Sequence, residues 1–182
     1  MLIQSMTQQA SIDLLARAGL GRLACAHDGQ PYIVPVTFAC DGEYLYAIST
    51  LGQKITWMRA NPRVCIEVDE LMTRTDWATV VVIGRYEEIT DAPEDKDRRI
   101  HAHKLLQEKN WVWWEPAYAR TVIDGTDRLV SKPMYFRIHI NQISGHRGIP
   151  DTVASQRSSV ITQFMGWLQR ILKAARTPLG NR

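Results

Sequence analysis

The chain has 182 residues, 45% of them hydrophobic and 23% charged, which fits one globular domain with an appendage and excludes wholesale disorder or a fibrous repeat. A chain of this size buries enough surface to fold without disulfide or metal staples, and it holds no apolar run of about 18 residues, so no helix crosses a bilayer. The formal net charge is +3, but residues 1–149 carry 17 Lys and Arg against 18 Asp and Glu, while residues 150–182 carry 5 against 1; the body therefore lacks the footprint of a nucleic-acid binder and only the tail is cationic.

The first fifteen residues have neither the basic start nor the apolar stretch of a secretory leader, so the cytoplasm is the expected location. Ser11 to Ala18 predicts a short helix with Ile12, Leu14 and Leu15 turned inward, ended by Gly19 and Gly21. Leu20 to His27, Tyr32 to Cys40 and Glu43 to Ser49 predict three strands joined at Asp28-Gly29 and Asp41-Gly42, an antiparallel meander. Gln53 to Ala60 reads as a helix stopped by Asn61-Pro62, and Arg63 to Asp69 as an alternating strand. Thr75 to Ile89 is a long strand interrupted by Gly84, where a bend or bulge is expected. Asp91 is placed to cap a helix running to about Lys109, a Trp-rich loop follows from Trp111 to Tyr118, and Met134 to Ile143 is the last strand. Six hairpin-linked antiparallel strands, mainly β with inserted helices, suit a small barrel. The absence of a glycine-rich dinucleotide fingerprint or P-loop argues against a doubly wound sheet. Cys25, Cys40 and Cys65 form no metal-binding pair and are expected as reduced core residues.

The turn Ser49-Thr50-Leu51-Gly52-Gln53-Lys54 brings two hydroxyls and a lysine to a helix N-terminus, where free amides and the helix dipole favour an anion. The plain alternative is a Ser or Thr cap beside a surface lysine. Pro35, within Val34-Pro35-Val36-Thr37-Phe38, marks an edge or bulge, either blunting aggregation or leaving main-chain groups for a flat heteroaromatic ligand. Trp111, Trp113 and Trp114 suit a ligand cover, a subunit interface or a core. His101 and His103 point to different faces of their helix, His146 lies in a Gly-His-Arg-Gly segment that reads as a surface turn, and no metal site is assigned. Val160, Ile161, Phe164, Met165, Leu168, Ile171 and Leu172 fall at helical period in the basic tail, which either docks on protein or lies on a membrane surface. No catalytic triad can be assembled and Glu87-Glu88 read as solvent charges, so hard chemistry would come from a cofactor.

Gly21-Arg22-Leu23-Ala24, Asp28-Gly29-Gln30-Pro31, Val34-Pro35-Val36-Thr37, Gly52-Gln53-Lys54, Asn61-Pro62-Arg63-Val64 and Val81-Val82-Ile83-Gly84-Arg85 occur in this order. Together, over residues 10–147, they resemble the pyridoxamine 5′-phosphate oxidase-like FMN-binding split barrels, closest to the flavin-nucleotide-binding branch with the nitroimidazole-resistance proteins. The resemblance implies a six-stranded antiparallel split β-barrel in residues 1–149; residues 150–182, beyond the resemblance, are read from their apolar period as a linker and amphipathic helix. It also implies a homodimer with FMN in two clefts at the subunit interface. Val34, Pro35, Val36, Thr37 and Phe38 would then line the isoalloxazine. Ile48, Ser49, Thr50, Gln53 and Lys54 would surround the phosphate, Thr79 would contact the flavin, and Trp113 would come from the other subunit. The implied activity is an oxidoreductase acting on a small substrate, and the alternative is a flavin or tetrapyrrole carrier without turnover. Two departures narrow this. The histidine that precedes the phosphate turn in nitroimidazole-resistance relatives is replaced by Ala47 or Ile48. Arg137-Ile138-His139 imitates the Arg-x-His of true pyridoxamine-phosphate oxidases, but the C-terminal Arg-Leu-x-Pro is missing, so vitamin B6 oxidation is not expected.

Overall fold

The computed structural model describes residues 1–109, 121–123, 126–128 and 133–150. In chain order these form β1 (Leu2–Ser5), α1 (Gln8–Arg17), β2 (Leu20–His27), β3 (Gln30–Thr37), β4 (Ala39–Cys40), β5 (Tyr44–Ser49), α2 (Gln53–Ala60), β6 (Arg63–Leu71), β7 (Trp77–Ile89), α3 (Lys96–Glu108), β8 (Thr121–Ile123), β9 (Thr126–Arg128) and β10 (Met134–Ile149). The architecture is mainly β, an antiparallel split barrel with three helices. Its main sheet runs β3-β2-β6-β7-β10-β5-β4, with β1 added to the far part of β10, while β8 and β9 form a separate two-stranded ladder. Inward alternation on each strand fills one core. Leu23, Val36, Leu45, Ile66, Val80, Phe136 and Ile138 meet there, with Leu14 and Leu15 of α1 and Ile55 and Met58 of α2. Helix α1 packs against β10, β4 and β7, and α2 against β2, the latter tied by Asn61 Nδ2 donating to the Ala26 carbonyl at 3.0 Å. Helix α3 lies outside the barrel, burying Ala102 and Leu106 against Ala39, Tyr46, Ile48 and Ile89.

The main sheet has eight strands rather than six, and the two additions have physical reasons. The long strand expected over 32–40 breaks at Phe38, whose side chain turns into the core and whose amide donates to the Gly19 carbonyl at 3.1 Å. That corner undoes the expected meander: β5 pairs with β10 and β4 instead of zipping onto β3. The Gly-His-Arg-Gly segment is not a turn but the continuation of β10, with His146 opposite both Thr79 and Ser5, and this extension recruits β1. Helix α1 begins at Gln8, where the Thr7 hydroxyl accepts from the Ala10 amide. Helix α3 begins at Lys96 after a 3₁₀ turn at Pro93–Asp95, and the carboxylate holding that corner is Asp95, which accepts from the Thr90 amide and hydroxyl. Asp91 instead pairs with Arg99. Cys25 is a core residue, whereas Cys40 and Cys65 are only half-buried. Glu87 and Glu88 are not loose solvent charges: Arg137 holds the first and Arg59 the second.

The expected irregularity at Gly84 falls on its partner strand. The β7–β10 register shifts between Ile140 and Gln142, leaving Asn141 as the extra residue. Gly84 is required by close approach, since a Cβ there would lie 2.5 Å from Ile138 Cγ2 and 2.6 Å from the His139 carbonyl oxygen. Gly84→Ala is therefore expected to lower unfolding free energy by about 1–3 kcal/mol in urea melts. Gly52→Ala, where φ is −177° and nothing lies within 4 Å, leaves the midpoint unchanged.

Candidate functional site

The two ends of the main sheet are consecutive in sequence but are not zipped together. Strand β3 pairs on one side with β2 and approaches β5 on the other without forming a ladder. Pro35 therefore sits on a genuine edge strand, opposite Arg22. Val36 and Phe38 send their side chains into the core, Val34 and Thr37 are half-buried and Pro35 is exposed. What the segment Val34–Phe38 offers to the split is thus main chain, with one donor removed by the proline.

At the end of β5 the chain turns into α2. Ser49 is buried and its Oγ donates to the Thr50 carbonyl at 3.2 Å, so neither hydroxyl caps the helix. The cap position is Gly52, which has no side chain to fill it. The first helical hydrogen bond runs from the Thr56 amide to the Gly52 carbonyl at 3.1 Å, which leaves the amides of Gln53, Lys54 and Ile55 ahead of the helical ladder. Lys54 is half-buried beside Cys25. Burial holds its ammonium below the usual lysine range, and burial pushes the Cys25 thiol up. Among the described residues no carboxylate pairs with Lys54, whereas Arg17, Arg22, Arg59, Arg99 and Arg137 each have an acidic partner. A helix start with amides ahead of the ladder, no side-chain cap and a cation without a carboxylate partner among the described residues has the chemistry to accept an anion.

The remaining expected positions fall elsewhere. The Ile48 side chain is packed under α3 with Ala39 and Leu106, so only its main chain can face the turn. Thr79 lies on the outer face of β7, where its hydroxyl donates to Glu67 Oε1 at 3.1 Å. In the sheet order β3-β2-β6-β7 it is three strand spacings from the β3 edge, about 14 Å along the sheet. It therefore does not join the β3 and turn residues within one protomer. Trp113 lies outside the described residues, as does the tail. Sequence reading missed Glu67, which accepts from Thr79 on the outer face, and its partner Arg22, whose Nη1 lies 3.0 Å from Glu67 Oε2. Only the β2–β6–β7 register, invisible in the linear pattern, brings them together.

Comparison with known proteins places the chain. The pyridoxamine 5′-phosphate oxidase family model matches residues 7–147, and the chain belongs to that family. An uncharacterised protein of Rhizobium meliloti is 38% identical over 148 residues, 80% of this chain and 95% of the relative. Among solved structures, a FAD-binding protein from Mesorhizobium loti is 40% identical, with a TM-score of 0.66 over 82% of this chain and 99% of that one. A FAD-binding protein from Mycobacterium smegmatis shares the fold at 20% identity, with a TM-score of 0.56 over 80% of this chain and all of that one (100%). No helix among the described residues is long and apolar enough to cross a membrane.

The sign of the Lys54 effect follows from its lowered folded-state pKa. The unfavourable charged form is present in full below that pKa and is relieved as pH rises through it towards the ordinary lysine range. Ligand-free Lys54→Met is expected to melt at or above the parent's temperature at neutral pH, with the gap closing as pH rises; thermal melts across alkaline pH measure this.

Proposed function

We propose that the split beside β3 and the turn before α2 together hold the FMN moiety of a flavin. The single observation that carries this is Lys54, a half-buried ammonium without an acidic partner among the described residues, set at an uncapped helix start. The 40% identical FAD-binding relative supports the same reading. In this reading Ser49, Thr50, Gln53 and Lys54 hold the phosphate. The amides of the first turn of α2 donate to it, and Lys54 supplies a full charge. The main chain of Val34–Phe38 meets the polar edge of the ring, and Pro35 keeps that edge from being occupied by another strand. A bound isoalloxazine supplies hydride and electron transfer, and the chain acts as an oxidoreductase on a small substrate; its own residues anchor the phosphate and exclude water from the ring.

The functional unit in this proposal is a homodimer. Ile33, Ala24, Cys65 and Ile83 are register partners across β3, β2, β6 and β7, so they form one row on the outer face of the sheet. Ile33 and Ile83 are 61% and 50% exposed, and Leu20 on the same face is 51% exposed. A second copy covering this row would bring its Thr79 towards the flavin of the first, in keeping with the separation of Thr79 from Lys54 within one chain, and the proposal keeps Trp113 as a contact from the second copy. A flavin carrier without turnover is the second reading. It is favoured by the turn itself, which offers hydroxyls, an amide and an ammonium but no carboxylate or imidazole to act as acid or base.

The purified protein is expected to be yellow. Lys54→Met is expected to weaken flavin binding by about 1.5–3 kcal/mol, measured by titration of the flavin-free protein; unchanged affinity removes the lysine from the site. Reduction of the bound flavin by NADH or NADPH, followed by reoxidation with an acceptor, selects the enzyme over the carrier. Ile83→Asp, a change at a half-exposed position, is expected to turn the dimer into a folded monomer in sedimentation.

A further inference from the structure

The far end of the main sheet carries an apolar row that the flavin reading leaves unused. Leu71 of β6 is the register partner of Trp77 of β7, Trp77 that of Gly148 of β10, and Gly148 that of Ile3 of β1. Direct partners project from one face of a sheet, and Trp77 stands two residues from Thr79, so this is the outer face. Gly148 adds no side chain and the Trp77 ring lies across it, since a Cβ there would be 2.5 Å from Trp77 Nε1. That N–H donates to Met1 Sδ at 3.3 Å. Leu71 and Ile3 are 74% and 64% exposed, and Met72 is 75% exposed. Six residues of β7, about 20 Å, separate Trp77 from Ile83, so this row is distinct from the one assigned to the dimer. A contiguous exposed apolar surface of this kind marks a place of contact.

Three features bear on what covers it. The first is where the chain leaves the sheet. Strand β10 ends at Ile149, opposite Leu2, so the residues after Pro150 set out from beside Ile3 and Trp77. The second is length. The apolar positions from Val160 to Leu172 fall at helical period over 13 residues, which as a helix is about 20 Å long. The row from Leu71 to Ile3 crosses three strand spacings, about 14 Å, so one side of such a helix covers it from end to end. The nine residues 151–159 reach up to about 30 Å, enough to turn the chain back. The third is charge. The β6–β7 hairpin holds Glu67, Asp69, Glu70 and Asp76 against Arg74; Arg22 and Arg17 pair with the first three acids, and Asp76 is in none of the ion pairs of the described residues. The segment that follows Pro150 carries Arg157, Arg170, Lys173 and Arg176.

We propose that residues 160–172 form a helix that folds back on the same chain and lays its apolar side over Leu71, Trp77 and Ile3. The basic residues of the segment then run beside the acidic hairpin, where Asp76 is the carboxylate left to meet them. The proposal is independent of the flavin reading and uses a different part of the outer face.

The test is limited digestion of the full chain with trypsin, with cleavage after Arg170 followed by mass spectrometry, on the parent, Leu71→Asn, Phe164→Asn and Ile100→Asn. Leu71 and Ile100 are both exposed, so neither change opens the core, and Ile100 lies on α3 away from the row. Cleavage after Arg170 is expected to be about tenfold or more faster in Leu71→Asn and in Phe164→Asn than in the parent, and unchanged in Ile100→Asn. Equal rates in the parent and Leu71→Asn overturn the proposal. So does protection in the parent that is lost on dilution, which seats the segment on a neighbouring copy, or protection that arises only with phosphatidylglycerol vesicles, which gives it to a membrane surface.

Discussion

An unpaired strand edge governs the molecule. Main-chain amides and carbonyls away from water need partners, and a bare edge invites other strands. The barrel would close if β5 zipped onto β3, but the corner at Phe38, with its side chain in the core and its amide on Gly19, sends β5 to β10 instead. The split is therefore a consequence of core packing. Pro35 then makes the remaining edge a poor template for another strand while leaving carbonyls and the other amides available to a smaller partner. The same corner sets the end of β5, and hence the helix start of α2, beside that edge.

Lys54 turns this opening into a site with a sign. A cation near the positive end of a helix is placed against the dipole, and partial burial adds a desolvation cost. Elsewhere in the described residues several arginines are matched: Arg17 with Glu70, Arg59 with Glu88, Arg137 with Glu87. The contrast is informative because unmatched, partly buried charge is selected against unless something else completes it. A phosphate ester, as proposed, would complete it with charge and with acceptors for the amides of Gln53, Lys54 and Ile55 together. On the proposed reading, the apparent defect in the unliganded protein and the affinity of the liganded one would be the same arrangement seen in two states.

How much of this was legible before the structure depended on whether the determining contact was local. Asp28-Gly29 and Asp41-Gly42 announced their turns through residues that tolerate positive φ, and the structure puts Asp28 at 49°, Gly29 at 76° and Gly42 at 101°. Pro35 announced an edge through its missing donor, and Gly52-Gln53 followed by Asn61-Pro62 announced the bounds of α2. What stayed hidden were pairings between distant segments. Leu2–Ser5 carries no strand pattern of its own and becomes a strand because residues 146–149 offer it an edge. Those same residues read as a turn because two glycines flank His146 and Arg147. Gly145 is needed in fact for the approach of Ser11 Oγ, which would lie 2.5 Å from a Cβ there.

The outer face of the sheet explains why the positions the sequence pattern groups with the ligand are not together in one protomer. On that face Arg22 meets Glu67 and Asp69, and Thr79 bonds to Glu67, so the charges are satisfied internally. Satisfied charges cost less to cover than free ones, and between them stand exposed isoleucines whose burial is favourable. Such a face is suited to meeting a copy of itself, because a two-fold contact lays one protomer's apolar row across the other's. In the proposed dimer, the spacing of about 14 Å that removes Thr79 from the β3 edge of its own chain would make it available to the neighbour's, and the site would be divided between two chains because of where the sheet splits.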